Sequence, residues 1–325
     1  MRKSWLRNYI IKRLIYAVII AWGIVTITFI LIRVGPSSPA DKYLANLAAS
    51  GQDASQITAA VEARYGLDKP LWEQYGDYVT NLFQGDLGWS FSTSMPVVDL
   101  IKTHWIYSFQ LILLSSIFAG VLGILIGIYS AVKKYTKIDY AATFFSFVGI
   151  SLPNFWLGVM LILLFSVKLG LFKVYYDTEL PLFSLENLKA LVLPVITLGT
   201  AMVAGYVRYT RSSMLDNLSK AFVTTARAKG LPERSVIGKH VLRNAILPLF
   251  TIIMFDLGSI VFGGAYLVEI VFGIPGLGQV SFNAIFQQDF PVVVTITLIG
   301  AFLVLTINLI TDIAYTYLDP RIRYD

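Results

Sequence analysis

Cysteine is absent from the 325 residues, and histidine occurs only at His104 and His240. Without thiols there is no disulfide framework, no thiolate nucleophile and no sulfur-ligated metal. Charge is scarce as well, at 14% Asp, Glu, Lys and Arg against 56% hydrophobic residues. Several apolar runs exceed what a buried core helix needs, and the window from Leu14 to Ile32 holds no charge at all. These features describe an integral membrane protein rather than a soluble domain. No Lys-Ser or Lys-Thr phosphate loop is present: Gly273-Ile274-Pro275-Gly276-Leu277-Gly278 is glycine-rich but lacks that ending and a preceding soluble strand.

Windows of about 20 apolar residues mark six expected spans: Ile10 to Val34, Ile106 to Val132, Tyr140 to Leu169, Ala190 to Tyr209, Ala245 to Val271 and Pro291 to Leu318. The first follows Arg2, Lys3, Arg7, Lys12 and Arg13 as a secretory signal would. It runs too long for one and has no small-x-small cleavage site before Arg33, so it reads as a retained anchor. The net charge of +6 records topology rather than nucleic-acid binding. Of the 26 Lys and Arg residues, 18 fall in the N-terminus, at Lys133, Lys134 and Lys137, between Arg208 and Arg243, and at Arg321 and Arg323. An even span count and the positive-inside bias put both termini in the cytoplasm. His104 and His240 then lie on opposite sides, so one chain assembles neither a two-His metal site nor a His-based triad. The expected segments are 1–34 with the first span, an extracytoplasmic domain 35–105, and a five-helix core 106–325 containing a cytoplasmic loop 210–244.

Within the external segment Leu71, Trp72, Tyr75, Tyr78, Val79, Leu82 and Phe83 recur at helical spacing after Pro70. This amphipathic helix lies either on the bundle or in the interface. The pairs Ser116/Gly120, Gly123/Gly127 and Ala201/Gly205 put small residues four apart, the pattern that lets helices approach closely in lipid. Pro153 and Pro194 remove backbone donors within or near spans three and four and predict kinks, gating or static. No internal repeat supports the inverted architecture of secondary transporters.

After span four, helical spacing continues from Arg208 through Leu218, Phe222 and Ala226 as one amphipathic helix. Gly230 suits a left-handed stop, and Pro232-Glu233 suits a restart whose apolar side includes Val236, Ile237 and Val241. Thr225, Ala226 and Ala228 are small enough to admit a partner's surface, while Arg227 and Lys229 offer it charge. Asp256 sits mid-span, where a carboxylate is expensive and faces the bundle interior or an aqueous cavity. Two readings stand: contact with a translocation path, or pairing with a partner subunit or backbone donor. Glu269, near the outer end of the same span, reads as capping structure.

The stretch Thr224-Thr225-Ala226-Arg227-Ala228-Lys229-Gly230-Leu231-Pro232, with His240-Val241-Leu242-Arg243-Asn244-Ala245-Ile246-Leu247-Pro248, resembles the coupling loop of permease subunits in ATP-binding-cassette importers. More narrowly it is similar to the B-type permease of oligopeptide, dipeptide and nickel systems. Tyr65-Gly66-Leu67-Asp68-Lys69-Pro70, Gly85-Asp86-Leu87-Gly88-Trp89-Ser90, Glu269 to Gly278 and Leu318-Asp319-Pro320-Arg321 extend the resemblance over practically the whole chain. There are departures. Thr224-Thr225-Ala226 stands where importers generally carry Glu-Ala-Ala, Ala221-Phe222-Val223-Thr224 where the subfamily often has Asp-Tyr-Val-Arg, and Gln288 where it frequently has Arg.

The resemblance implies an all-α type I importer permease fold in the plasma (inner) membrane of a prokaryote. It implies a second homologous permease, two ATPase subunits or a homodimer that bind ATP and Mg2+, and an extracytoplasmic substrate-binding protein. The chain itself would carry no catalytic residue, cofactor or metal. Residues 224 to 232 would meet the ATPase, Asp256 would line the path, and Pro275, Gly276 and Gly278 would contact the binding protein. Peptide is the expected cargo, with nickel complexes or oligosaccharides as alternatives on the same architecture. An ion-driven secondary transporter with Asp256 as coupling site is the reading from another class.

Overall fold

A computed structural model describes residues 2–34, 69–258 and 265–318. Among these the chain is helical, with one isolated bridge between Trp89 and Pro96. The helices are α1 (Arg2–Val34), α2 (Leu71–Gln84), α3 (Val97–Val132), α4 (Lys137–Ser151), α5 (Asn154–Leu161), α6 (Leu185–Ala190), α7 (Val192–Leu218), α8 (Ala221–Ala228), α9 (Glu233–Ser235), α10 (Leu242–Gly258), α11 (Tyr266–Phe272), α12 (Leu277–Phe286) and α13 (Phe290–Leu318). Two π-helical segments extend this set: Ile162–Lys168 prolongs α5, and Val236–Val241 joins α9 to α10.

Four helices are long and apolar enough to cross a membrane alone, at Ile10–Leu31, Val97–Val132, Val192–Leu218 and Phe290–Ala314, and three bent pairs raise the total to as many as seven. Four to seven candidate spans bracket the expected six without fixing that number. Span two starts at Val97 rather than Ile106, and its 36 residues reach about 54 Å at 1.5 Å each, well beyond a ~30 Å hydrocarbon core. Span three breaks by 98° between α4 and α5. Pro153 causes this: it cannot donate, and it pushes Leu152 to extended angles (φ −78°, ψ 124°). Pro194 makes no kink, because it falls in the first turn of α7, where an amide would lack an intrahelical partner anyway. Pro248 instead bends span five by 48°. The predicted external loop at Gly273 turns by a left-handed glycine (φ 67°) and enters a further helix, α12.

Contacts group the described chain into two units, one from 2–34, 69–106 and 277–309, the other from 107–258, 265–276 and 310–318. In the first, α2 lies on α1: Tyr75 and Tyr78 meet the Phe29 ring at 5.2 and 5.6 Å, and the Tyr75 and Thr26 hydroxyls share a 2.8 Å hydrogen bond. In the second, α3 and α7 touch through the Gly123/Gly127 pair. A Cβ on Gly123 would stand 2.5 Å from that of Tyr206, and one on Gly127 2.6 Å from that of Thr210. A Cβ on Gly120 or Gly205 would meet nothing within 4 Å, so neither glycine marks a close helix approach among the described residues. Leu111, Ile112, Leu191, Leu193, Val268, Phe272 and Ile274 form the main buried cluster.

Candidate coupling site

The Lys/Arg-rich connection folds as two helices rather than the single one its periodicity predicts. Span four stops at Leu218. Lys220 turns to extended angles (φ −79°, ψ 150°) and starts α8. The break redirects the chain so that Val223 and Ala226, one turn apart, face inward. They join Ala131, Met214, Val236, Val241 and Ala245 in a buried cluster. Each buried valine or methionine there contributes about 1.5–3 kcal/mol, enough to hold a helix of only eight residues that would not persist alone.

At the far end Gly230 is left-handed at φ 75°, its amide bonding the Arg227 carbonyl at 2.9 Å while the Leu231 amide reaches that of Ala226 at 3.4 Å. This pair of bonds is the Schellman stop expected of a glycine one residue past the cap. Arg227 then closes the turn onto Glu233, Nε to Oε2 at 3.1 Å and Nη2 to Oε1 at 2.6 Å. Ala226 is therefore a packing residue, not a surface for a partner, and Arg227 is engaged by its own chain. What α8 presents outward is Phe222, Thr224, Thr225 and Ala228, followed by Lys229, Gly230, Leu231 and Pro232.

Bonded to helices that carry the buried cluster is a group with no pairing signature in the linear sequence. Asp139, at the start of α4, is 1% exposed and accepts four hydrogen bonds: Ser130 Oγ at 2.5 Å, the Tyr135 amide at 2.8 Å, and Arg211 Nε and Nη2 at 2.6 and 2.7 Å. One carboxylate thus ties the end of α3, the following turn, the start of α4 and the last third of α7. Its sequence signal was a lone Asp among the lysines after span two; nothing in the linear pattern links it to an arginine 72 residues on.

Asp256 is half-buried on α10 and accepts the Tyr206 hydroxyl at 2.5 Å. Tyr206 is itself 1% exposed on α7, so the carboxylate is oriented from within its own chain. Glu269, on α11, is fully enclosed and accepts Ser108 Oγ at 2.5 Å. The Gly276 backbone passes over that carboxylate so closely that a Cβ would collide with Glu269 and Ser108. Gly276 and Gly278 are buried and Pro275 half-buried, so neither glycine has surface to offer a binding protein in this chain. In the other unit Asp289 is enclosed and accepts Ser90 Oγ at 2.5 Å, with Ser92 Oγ and N at 2.7 and 3.0 Å. Burial alone would raise its pKa; the two hydroxyls and the Ser92 and Phe91 amides outweigh burial and hold it below the usual carboxylate range. No group of three or more potential metal ligands occurs among the described residues.

Residues 123–324 match the family described as binding-protein-dependent transport system inner membrane component, and residues 6–111 match its N-terminal companion. The chain belongs to that family. The permease is 40% identical over 321 residues to the oligopeptide transport system permease protein AppB of Bacillus subtilis, covering 97% of this chain and 99% of the relative. It is 36% identical to the dipeptide transport system permease protein DppB of Alkalihalophilus pseudofirmus (97% and 99% covered). To the glutathione transport system permease protein GsiC of Escherichia coli K12 it is 35% identical (98% and 99% covered). The permease is thus a membrane-embedded component of an ATP-binding-cassette importer, a system that draws on ATPase and substrate-binding subunits.

Proposed function

We propose that this permease is one half of the membrane path of a peptide importer, and that residues 224 to 232 receive the force of ATP hydrolysis. The observation that carries the proposal is the outward face of α8, held rigidly by the Val223/Ala226 cluster and the Gly230 stop. A lever must be stiff toward its own domain and free toward its motor, and α8 has both properties. Peptide cargo rests on near-full-length likeness to permeases named for oligopeptide, dipeptide and glutathione transport.

A second, similar permease completes the path, with both termini in the cytoplasm of a prokaryotic cell. Two ATPase subunits bind ATP and Mg2+; their closure draws α8 and tilts the spans toward the outward-open state. The loaded binding protein then releases peptide into the cavity, near the loop that contains Pro275, Gly276 and Gly278. Asp256, aimed by Tyr206, lines the route. Coupling works because ATP and the binding protein favour states other than the resting one; tight binding alone shifts nothing. Reconstituting the complex in liposomes tests the assignment: peptide uptake should require ATP, the binding protein and the ATPases together. Uptake by this chain alone on an ion gradient would overturn it.

A further inference from the structure

We infer that α2 lies in the membrane–water interface and inserts Trp72 and Phe83 among lipids. At 3.6 residues per turn, Trp72, Gly76, Val79 and Phe83 share a stripe about 60° wide, with Thr80 and Glu73 on its polar flank and Asp77, Asn81 and Gln84 across the helix from it. The apolar half of α2 is therefore wider than the part that packs. Tyr75 and Tyr78 take up one flank against Phe29, while Trp72 and Phe83 remain 75% and 87% exposed.

Depth decides the occupant. The fastening residues on α1, Thr26 and Phe29, belong to the last turns of the apolar stretch Ile10–Leu31. Phe29 is only about 3 Å of helix rise short of its end, which is the level where hydrocarbon gives way to headgroups. A helix fastened at that level, with an open aromatic edge beside a span whose Trp22, Ile27 and Ile30 are also exposed, meets the bilayer there. Aromatic side chains concentrate at this depth in membrane proteins. The charged side of α2 carries Glu73 and Asp77, the latter bridged to Lys69 at 2.6 Å, so the attraction is apolar rather than electrostatic. Such seating fixes the outer end of α1 against the lipid surface.

The absence of cysteine makes the test direct. Trp72→Cys, Phe83→Cys and, on the polar side, Asn81→Cys are spin-labelled in the assembled complex in phosphatidylcholine nanodiscs. Labels at 72 and 83 should collide with oxygen several-fold more than with a nickel chelate relative to the label at 81, and anionic lipid should not change the ratio. Equal nickel access at all three positions would place the stripe in water, and shielding of 72 and 83 from both reagents would assign it to a protein partner; either result overturns the inference. If the labelled variants fail to assemble, brominated-lipid quenching of the native complex compared with Trp72→Phe answers the same question. A tryptophan contribution lost with Trp72 supports insertion, and unchanged quenching contradicts it.

Discussion

Arg211 grips Asp139 with two parallel hydrogen bonds of 2.6 and 2.7 Å, and this pair ties α7 to the start of α4. Met214, one turn beyond Arg211, packs in the cluster beneath α8, so the ion pair and the proposed coupling helix are connected through α7. Removing one partner strands the other: Arg211→Gln leaves an enclosed carboxylate with only Ser130 and the Tyr135 amide. Loss of one partner of a fully buried pair costs ~3–5 kcal/mol, and the figure here is smaller because the Arg211 side chain is 26% exposed. The expected outcome is a lower unfolding temperature in detergent together with ATP hydrolysis that no longer yields uptake. Retention of a full uptake-to-ATP ratio would separate the pair from coupling.

Inward and outward faces of α8 should separate by phenotype. Ala226→Leu overpacks a filled cluster, a change that costs ~1–3 kcal/mol, and should lower thermal stability of the purified permease. Thr225→Tyr adds bulk on the exposed face; it should leave stability unchanged and cut peptide uptake by roughly tenfold, a ~1.4 kcal/mol effect. Thermal unfolding and liposome transport, measured on both variants, check the division.

Gly230 and Gly276 are both restricted, for different reasons. A Cβ on Gly230 meets nothing within 4 Å, so Gly230→Ala should cost only the left-handed backbone, ~1–2 kcal/mol, with Gly230→Asn milder. Gly276→Ala must displace Glu269 or Ser108 and should be the more damaging substitution in a side-by-side comparison of thermal unfolding.

Much of this arrangement was legible in the chain. Apolar windows fell on the long apolar helices, Pro153 marked a real break, and Gly230 and the 71–84 stripe folded as their spacing required. What stayed hidden has a common physical cause. The break at Ser219-Lys220 interrupts a helical period that continues unchanged on both sides, and it exists because Val223 and Ala226 must turn toward a cluster that joins Ala131 to Met214, Val236, Val241 and Ala245. Asp139 and Arg211, like Glu269 and Ser108, are paired by tertiary packing across 72 and 161 residues. Linear spacing carries no trace of such pairs, so Ala226, Gly276 and Gly278 read as surface when they are packing.

Acid should loosen the 90–93 turn. The Asp289 pKa is held below its value in an unfolded chain, about 3.9, so its hydrogen bonds stabilise the fold in full above that value. The contribution is lost as pH falls through the lower, folded-state value. Protease cleavage near Ser92, followed from pH 7 downward, should rise only on the acid side of the free carboxylate range. Asp289→Asn, which removes the titration, should flatten that rise.

The most direct measurement is cross-linking along α8 in native membranes, with single cysteines introduced at Thr225 on the outward face and Val223 on the inward face of the cysteine-free chain. A nucleotide-dependent adduct with the ATPase subunit is expected from position 225 and none from position 223. No ATPase adduct from position 225 in any nucleotide state would contradict the coupling role of α8.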